Sequence, residues 1–283
     1  MKFKVFSQLN YEVLGPTTFI FNIQVVPTTS QLILEELLTC GPHIKMEEFT
    51  SSAAEARFVK LFVPKKMQFI INYSATVDLY YKMIDEQVLS TMAPILKMDA
   101  DVIPYLFPSR YCQSDKLEKL ATKEFGYLGN DYGKAAAINN WIYNNVEYLG
   151  GFTTSSTSAQ DTLMERVGVC RDFAHLGIAL CRALSIPARY FTAYAYNLNP
   201  PDFHACFEAY IGGQWIFFDP TKLVPANGMV KIANGRDAAD ASVASIFGNA
   251  YCTAINVGCI SADENFKPFS TENTESQKGL SYQ

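Results

Sequence analysis

Histidine and paired cysteines are scarce in this chain, and their scarcity restricts the chemistry that it can support. The 283 residues include three histidines and seven cysteines, and no two cysteines stand in a CxxC arrangement. Closed zinc sites usually need such clusters, and a complete disulfide framework needs an even number of cysteines. Both are therefore disfavoured, and the odd cysteine count leaves at least one thiol without a partner in the chain.

Dense basic runs and long apolar runs are also missing. The chain has 23 Lys and Arg against 28 Asp and Glu, a net charge of −5, which argues against nucleic acid as a partner. No apolar run approaches the length of a membrane span, and the N-terminal MKFKVFSQLNYEV lacks the apolar h-region of a signal peptide. We therefore expect a cytoplasmic protein without membrane contact, and the sequence leaves its oligomeric state open.

Short β-like segments fill residues 1–82. FKVFSQLNYEV, TTFIFNIQVVP, RFVKLFVP and KMQFIINYSATVDLYY are rich in β-branched and aromatic residues, and Pro, Gly or Ser separate them. They predict a small antiparallel β-sandwich, while QLILEELLTCG is compatible with a strand or a short helix. Residues 83–113 are predicted to be a connection that prolines interrupt, so a β-rich domain with its connection is expected over residues 1–100.

The remaining chain mixes helical and strand patterns, so the predicted fold class is α+β. SDKLEKLATKEF and DYGKAAAINNWIYNNVEYL predict two helices, and DTLMER predicts a helical turn that stops before Gly168. A further helix is expected to begin at Cys170 and end before Pro187, and ARYFTAYAY, HACFEAYIG and QWIFFDPT predict strands. We expect a core over residues 101–262 and a polar, loosely ordered tail over residues 263–283.

Two cysteines on the predicted helix differ in position, and therefore in expected role. Cys181 lies on the apolar face beside Leu180 and Leu184, where a free cysteine packs like a small hydrophobic residue. Cys170 is the first helical residue, where unpaired N–H groups and the helix dipole favour a thiolate and could also hold an oxyanion. Cys181 is thus predicted to be structural, whereas Cys170 is either a nucleophile or a buried thiol at a tight turn.

A thiolate nucleophile needs a base and a group that orients the base, and His204 and Asp219 have the spacing to supply them. His204 begins the predicted strand HACFEAYIG, and Asp219 ends the next strand, QWIFFDPT. Gly212 and Gly213 predict a hairpin, in which the start of one strand lies beside the end of the next. A surface histidine and a turn aspartate before Pro220 are the alternatives, but the three residues together favour a catalytic triad.

The stretches GVCRDFAHLGIALCRALSIPARY and DFHACFEAYIGGQWIFFDPTK, and more loosely AINNWIYNNVEY, resemble the transglutaminase-like superfamily of the papain-like cysteine hydrolase fold. The resemblance covers residues 130–225, and the N-terminal part is similar to that of bacterial members with an N-terminal β-domain. It implies a cysteine-bearing helix packed on an antiparallel sheet. It also implies a triad with Cys170 as nucleophile, His204 as general base and then acid, and Asp219 as the orienting group.

Two positions beside the triad bear on the substrate cleft. Many members of the superfamily have an aromatic residue two positions after the histidine, where this chain has Cys206. Cys206 faces the same side of the strand as His204, so it opens space near the triad or adds a second thiol there. A disulfide between Cys206 and Cys170 after oxidation is a hypothesis. Asp202, two positions before the histidine, is the other candidate for the cleft.

A second oxyanion donor beside the nucleophile's N–H is expected from an upstream element, as in related folds. Trp141, Tyr111 and Gln113 are the candidates, because each carries a side-chain donor. His175 is expected to be a packed, hydrogen-bonded helix residue rather than a second base. Asp172 is expected to be a charge of the first helical turn that favours the helix dipole.

The sequence thus predicts an enzyme that acts on a protein or peptide substrate through a thioester acyl-enzyme. Hydrolysis by water is favoured, which would make the protein a cysteine protease or amidase, whereas resolution by a lysine amine would make it a transglutaminase. A binding module that keeps the fold without turnover is the remaining alternative, and the intact triad argues against it. No EF-hand-like loop or acidic cluster accompanies the triad, so we expect no required metal and no cofactor.

Overall fold

The computed structural model describes residues 1–51, 55–91, 94–269 and 278–283, and its fold is α+β, as predicted. The helices are α1 (Glu86–Leu89), α2 (Glu118–Phe125), α3 (Asp131–Asn145), α4 (Ala159–Glu165) and α5 (Cys170–Ala183). The strands are β1 (Lys2–Val13), β2 (Thr17–Phe21), β3 (Gln31–Gly41), β4 (Met46–Ser51), β5 (Ala56–Val63), β6 (Met67–Leu79), β7 (Lys82–Ile84), β8 (Glu147–Tyr148), β9 (Val167–Gly168), β10 (Ala188–Ala195), β11 (Phe203–Ile211), β12 (Gln214–Phe218), β13 (Met229–Gly235), β14 (Ala244–Phe247), β15 (Ala250–Ser261) and β16 (Gly279–Ser281). Among these residues, no helix is both long enough and apolar enough to span a membrane.

Two antiparallel four-stranded sheets form the sandwich predicted for the N-terminal part. One sheet has the strand order β15-β1-β6-β3, and the other has the order β14-β2-β5-β4. Along β1 and β6, buried side chains alternate with more exposed ones, so every second side chain points into the interior of the sandwich. Phe19 of β2 stacks on Phe69 of β6, with ring centroids 5.5 Å apart, and so joins the two sheets. The ambiguous segment QLILEELLTCG forms β3, a strand paired with β6.

Strands β14 and β15 return to this sandwich from late in the chain. β14 pairs with β2, and β15 pairs with β1 along nearly its whole length. Each sheet is therefore completed by a strand from the far side of the helical part of the chain. The boundary expected at residue 262 does not separate the two parts, because residues 244–261, assigned to the core from the sequence, belong to the sandwich. A strand's local pattern does not tell which distant strand it pairs with.

A third antiparallel sheet, in the order β12-β11-β10-β13, packs against helix α5. The three strands predicted from ARYFTAYAY, HACFEAYIG and QWIFFDPT are β10, β11 and β12. Helix α5 begins at Cys170, as predicted, and buries Phe173 and Leu180 on its apolar face. A Cβ atom at Gly177 would lie 2.5 Å from the ring of Phe207 on β11, so only glycine permits this close approach of helix and sheet.

The helices upstream of α5 are present, but some of their ends differ from the prediction. SDKLEKLATKEF is not one helix, because a 3₁₀ turn at Ser114–Lys116 precedes α2. The Asn130 side chain caps α3 by accepting a hydrogen bond of 2.7 Å from a backbone N–H. The residues Glu147 and Tyr148, predicted as the end of α3, instead pair in parallel with β9. This short pairing brings the end of α3 next to the start of α5.

The C-terminal residues that the structure describes are packed. Residues 270–277 of the predicted tail lie outside the described residues. After them, β16 pairs with β7, and Leu280 and Tyr282 are buried. Tyr282 donates its hydroxyl hydrogen to the Ala226 carbonyl oxygen. The structure therefore differs from the predicted loose tail at residues 278–283, because apolar side chains bury this end of the chain.

Polar contacts join the sandwich to the third sheet. Tyr194 on β10 donates a hydrogen bond of 2.6 Å to the Ile23 carbonyl oxygen. Glu55, next to β5, lies 2.6 Å from Lys231 Nζ and 3.3 Å from Arg189 Nη1. Both cations are almost fully buried, and Glu55 shares their compensation with Glu208, which lies 2.6 Å from Arg189 Nε. These contacts fix the third sheet, on which the candidate site is built, against the sandwich.

Candidate active site

Helix α5 presents the partly exposed Cys170 as its first residue. Val169 before it is extended, and its N–H donates a hydrogen bond of 3.0 Å to the Asp172 carboxylate, which fixes the start of the helix. Asp172 is fully buried and also accepts hydrogen bonds from Thr153 and Arg171. Asp172 lies in the first helical turn, as expected. Asp172 additionally ties the preceding loop to the start of α5.

The hairpin of β11 and β12 brings His204 and Asp219 together. The strand ladder ends at the pair Phe207–Phe218, and beyond it His204 Nε2 lies 2.9 Å from Asp219 Oδ2. Thr221 binds the other carboxylate oxygen, Oδ1, through its N–H at 2.9 Å and its hydroxyl at 2.7 Å. Asp219 is thus held through one oxygen while the other faces the imidazole.

This contact orients the imidazole of His204. Because Nε2 meets Asp219, Nδ1 is the nitrogen left for Cys170, and Nδ1 has no well-aligned hydrogen bond among the described residues. Burial alone would lower the pKa of His204, but neighbouring groups outweigh it and hold this pKa well above its usual value. These groups are Cys206, Asp219 and Cys170, in that order of importance.

The charge on Asp219 is the main reason for the raised pKa of His204. Burial raises the pKa of the Cys206 thiol, so Cys206 is neutral and contributes no full charge. Burial would also raise the pKa of Asp219, but its contacts with His204 and Thr221 outweigh burial and lower that pKa. The two shifts agree, because each partner favours the charged form of the other. The arrangement supports an imidazolium–carboxylate pair beside Cys170.

Tyr148 is a neighbour of Cys170 that sequence reasoning missed. Partial burial, followed by the electrostatic interaction with Cys170, raises the pKa of Tyr148 to about 12. Its ring packs edge-on against Phe173, with ring centroids 5.7 Å apart. The pairing of β8 with β9 sets Tyr148 beside Gly168. A two-residue pairing has no periodicity, so the sequence carries no signal for it.

The three predicted oxyanion donors have other partners. The Tyr111 hydroxyl donates a hydrogen bond of 2.8 Å to the Ser155 carbonyl oxygen. Gln113 Nε2 lies 3.4 Å from a neighbouring backbone carbonyl oxygen. The Trp141 ring lies under the Arg166 guanidinium, 4.6 Å from the ring centroid. Their role as oxyanion donors stays a prediction.

His175 and Cys181 on α5 are buried away from solvent. His175 Nε2 accepts a hydrogen bond of 3.1 Å from the Ala238 N–H, and burial lowers the pKa of His175 to about 3. The imidazole is therefore neutral and already engaged. Cys181 is fully buried, and burial raises the pKa of its thiol. The predictions of a packed histidine and a structural cysteine at these positions are confirmed.

Cys206 and Asp202 flank His204 along the chain. Cys206 is fully buried, and its sulfur, a ring nitrogen of His204 and a carboxylate oxygen of Asp219 all lie within 4.8 Å of one another. Asp202 is exposed and accepts a hydrogen bond of 2.7 Å from the Phe203 N–H. Cys206 thus adjoins the candidate triad, as its position on the strand predicts. The group of His204, Cys206 and Asp219 could also hold a metal ion.

Family models and a solved structure agree with this fold. Residues 1–101 match the family described as bacterial transglutaminase, N-terminal domain, and residues 119–220 match the transglutaminase-like superfamily. The whole chain is similar to a "putative cysteine protease" from Cytophaga hutchinsonii, with 61% sequence identity, a TM-score of 0.97 and 98% of that chain covered. The chain therefore belongs to the transglutaminase-like superfamily, with the N-terminal domain found in bacterial transglutaminases.

Curated relatives match over shorter segments. An uncharacterized protein of Mycobacterium leprae is 32% identical over 113 residues, which cover 37% of this chain and 40% of the relative. An uncharacterized protein of Mycobacterium tuberculosis is 36% identical over 115 residues, which cover 35% of this chain and 36% of the relative. The chain thus matches less than half of the length of these relatives.

Proposed function

We propose that this protein is a cysteine-dependent amide or peptide hydrolase that acts through a thioester. One observation carries the proposal. His204 Nε2 lies 2.9 Å from the carboxylate of Asp219, which leaves Nδ1 of the same ring for Cys170 at the start of a helix. Nucleophile, base and orienting group in this order are the arrangement that activates a thiol for acyl transfer.

The first half of the reaction forms the acyl-enzyme. Cys170 gives its proton to Nδ1 of His204, and its thiolate attacks the carbonyl carbon of the substrate amide. The oxyanion that forms faces the N–H groups at the start of α5 and the Tyr148 hydroxyl, which donate hydrogen bonds to it. The C–N bond then breaks, the amine leaves with the proton from Nδ1, and a thioester to Cys170 remains.

The second half resolves the thioester. His204, neutral after giving up its proton, takes a proton from water, and the resulting hydroxide attacks the thioester carbonyl. The C–S bond breaks, a carboxylic acid leaves, and the proton on His204 returns to Cys170. Asp219 remains ionised and holds the imidazole in the same orientation throughout.

Acyl transfer to an amine is the second candidate, and the match of residues 1–101 to a bacterial transglutaminase domain favours it. In that reaction a lysine amine replaces water as the second nucleophile, and the earlier steps are unchanged. A protein or peptide substrate fits both candidates. A reducing cytoplasm suits either reaction, because Cys170 must remain a thiol, and all seven cysteines are unpaired in the structure.

Alkylation of Cys170 by iodoacetamide near neutral pH, followed by peptide mapping, tests the proposal. We expect fast and selective labelling of Cys170 that slows roughly 10²-fold in His204→Ala, because the thiolate loses its imidazolium partner. His43→Ala is the matched control, because His43 is exposed on the sandwich, and it should label like the wild type. Slow labelling spread over several cysteines in the wild type would favour a binding module instead. An amine added with a peptide substrate then separates hydrolysis from acyl transfer by product mass.

A further inference from the structure

Cys206 has no part in the proposed reaction, yet it lies against two groups that do. It is fully buried on β11, two residues from His204 and on the same side of the strand. Continuing the β11–β12 register past the pair Phe207–Phe218 sets Cys206 opposite Asp219. The donor atoms of the three side chains all lie within 4.8 Å of one another. A thiol, an imidazole and a carboxylate therefore converge on one point.

These three groups are the ligand types that Zn²⁺ takes in proteins. Zinc bonds measure about 2.3 Å to sulfur and about 2.0–2.1 Å to nitrogen, so neighbouring ligand atoms stand roughly 3–4 Å apart. His204 Nε2 and Asp219 Oδ2 are already 2.9 Å apart. The sulfur needs to move inward by no more than about 1 to 2 Å to complete the set. With three protein ligands, a water molecule can take the fourth position on the zinc ion.

We propose that His204, Cys206 and Asp219 form a binding site for a zinc ion. The ion bonds to Nε2 of His204, to the Cys206 sulfur and to the Asp219 carboxylate. Binding to the imidazolium form releases two protons to solvent, one from the Cys206 thiol and one from Nε2. The proton that the ring retains is then on Nδ1.

Zinc at this site blocks the reaction, and this consequence rests on the proposed function. With Nε2 bonded to zinc and Nδ1 protonated, His204 cannot accept a proton from Cys170. Asp219 is also withdrawn from its orienting contact. The site is therefore inhibitory and distinct from a catalytic metal centre, and removal of the ion restores the free triad.

Cobalt(II) is the probe for the site, because it occupies zinc sites and gives a charge-transfer absorption when a thiolate binds it. The full-length chain, reduced and freed of metal, is titrated with Co²⁺. We expect the absorption in the wild type, and its loss with at least about tenfold weaker binding in Cys206→Ala and Cys206→Ser. Cys252→Ser is the matched control, because Cys252 is an exposed thiol on β15, and it should keep the absorption. Cys170→Ala should also keep it.

Several outcomes would overturn this assignment. Failure of the folded wild type to bind cobalt would do so directly. An absorption that survives in the Cys206 variants, or that disappears in Cys252→Ser or Cys170→Ala, would mean that the ion binds elsewhere. Circular dichroism identifies a variant that does not fold. The variant His204→Ala removes the nitrogen ligand and should therefore also lose cobalt binding, independently of the Cys206 variants.

Labelling of Cys170 distinguishes failure of this inference from failure of the proposed function. At a zinc concentration that saturates the wild type but not Cys206→Ala, labelling of Cys170 should slow about tenfold or more in the wild type and far less in Cys206→Ala, because His204 is blocked as a base only where zinc is bound. Equal slowing in Cys206→Ala would mean that zinc binds Cys170 itself, and the assigned site would be wrong. Unreactive Cys170 in the metal-free wild type would remove the proposed function, while the cobalt result would still decide the metal site.

Discussion

A phenol beside a nucleophilic cysteine can act on two different atoms, and Tyr148 is close enough to Cys170 for that residue to raise the pKa of the phenol. If the phenol stabilises an oxyanion, it matters only when the thiolate attacks a carbonyl carbon. If it stabilises the thiolate, it matters for every reaction of Cys170. The proposed mechanism assigns the first role, because the hydroxyl is protonated at neutral pH and can donate a hydrogen bond.

The variant Tyr148→Phe separates these two roles. We expect acylation of Cys170 by an activated ester to slow about 10²-fold, because one donor to the oxyanion is lost. Alkylation by iodoacetamide forms no oxyanion and should stay close to the wild-type rate. Stopped-flow release of the ester's alcohol and peptide mapping measure the two rates. Equal slowing of both reactions would assign the phenol to the thiolate instead.

At the scale of elements, the position of Cys170 depends on how closely α5 lies against β11. Gly177 makes this approach possible, because a Cβ atom there would meet the Phe207 ring at 2.5 Å. Phe207 is fully buried and stacks on Phe218 with ring centroids 5.2 Å apart, so it has little room to move. Any larger residue at this position must push the helix and the strand apart.

We expect Gly177→Ala to lower the free energy of unfolding by up to about 2 kcal/mol. Alanine favours a helix over glycine by about 1 kcal/mol, and overpacking a core costs about 1–3 kcal/mol, so the clash outweighs the propensity. Labelling of Cys170 should slow as the helix start moves away from His204. Urea unfolding and alkylation measure both effects. Gly15→Ala is the control, because no atom lies within 4 Å of a Cβ there. Unchanged stability in Gly177→Ala would mean that the contact relaxes freely.

Elements with a clear local pattern could be predicted, and contacts between distant or very short segments could not. The apolar face of α5 and the hairpin around Gly212 followed from spacing, and with them the meeting of His204 and Asp219. The sequence pattern predicts Tyr148 at the end of a helix, because a two-residue parallel pairing has no period that could indicate it. The return of β14 and β15 was missed because pairing partners are set by the whole fold.

At the scale of the whole molecule, Glu55 is the acidic residue that joins the sandwich to the third sheet through Lys231 and Arg189. Burial would raise the pKa of Glu55, but the two cations outweigh burial and lower it from 4.5 to about 2. A lowered pKa in the folded state stabilises the fold above the usual pKa of 4.5. This stabilisation is lost as the pH falls from that value towards about 2.

We expect Glu55→Gln to lower the free energy of unfolding at neutral pH by about 2 kcal/mol. This is less than for a fully buried pair, because 39% of the Glu55 side chain stays exposed to solvent. The difference from the wild type should shrink as the pH falls towards about 2, because Glu55 becomes protonated. Urea unfolding at a series of pH values measures this difference in the free energy of unfolding. Glu47→Gln removes an exposed partner of Lys60 and should have little effect. A difference that is constant with pH would contradict the ionic explanation.

The pairing of β14 with β2 and of β15 with β1 also sets an order of events during synthesis. A ribosome releases β1 and β2 early, but their outer neighbours emerge only with residues 244–261. Until then each sheet presents an unpaired edge, and such edges favour aggregation. The first part of the chain to be made is therefore among the last to reach its final fold, and a nascent chain stalled before residue 244 should be a preferred target for chaperones.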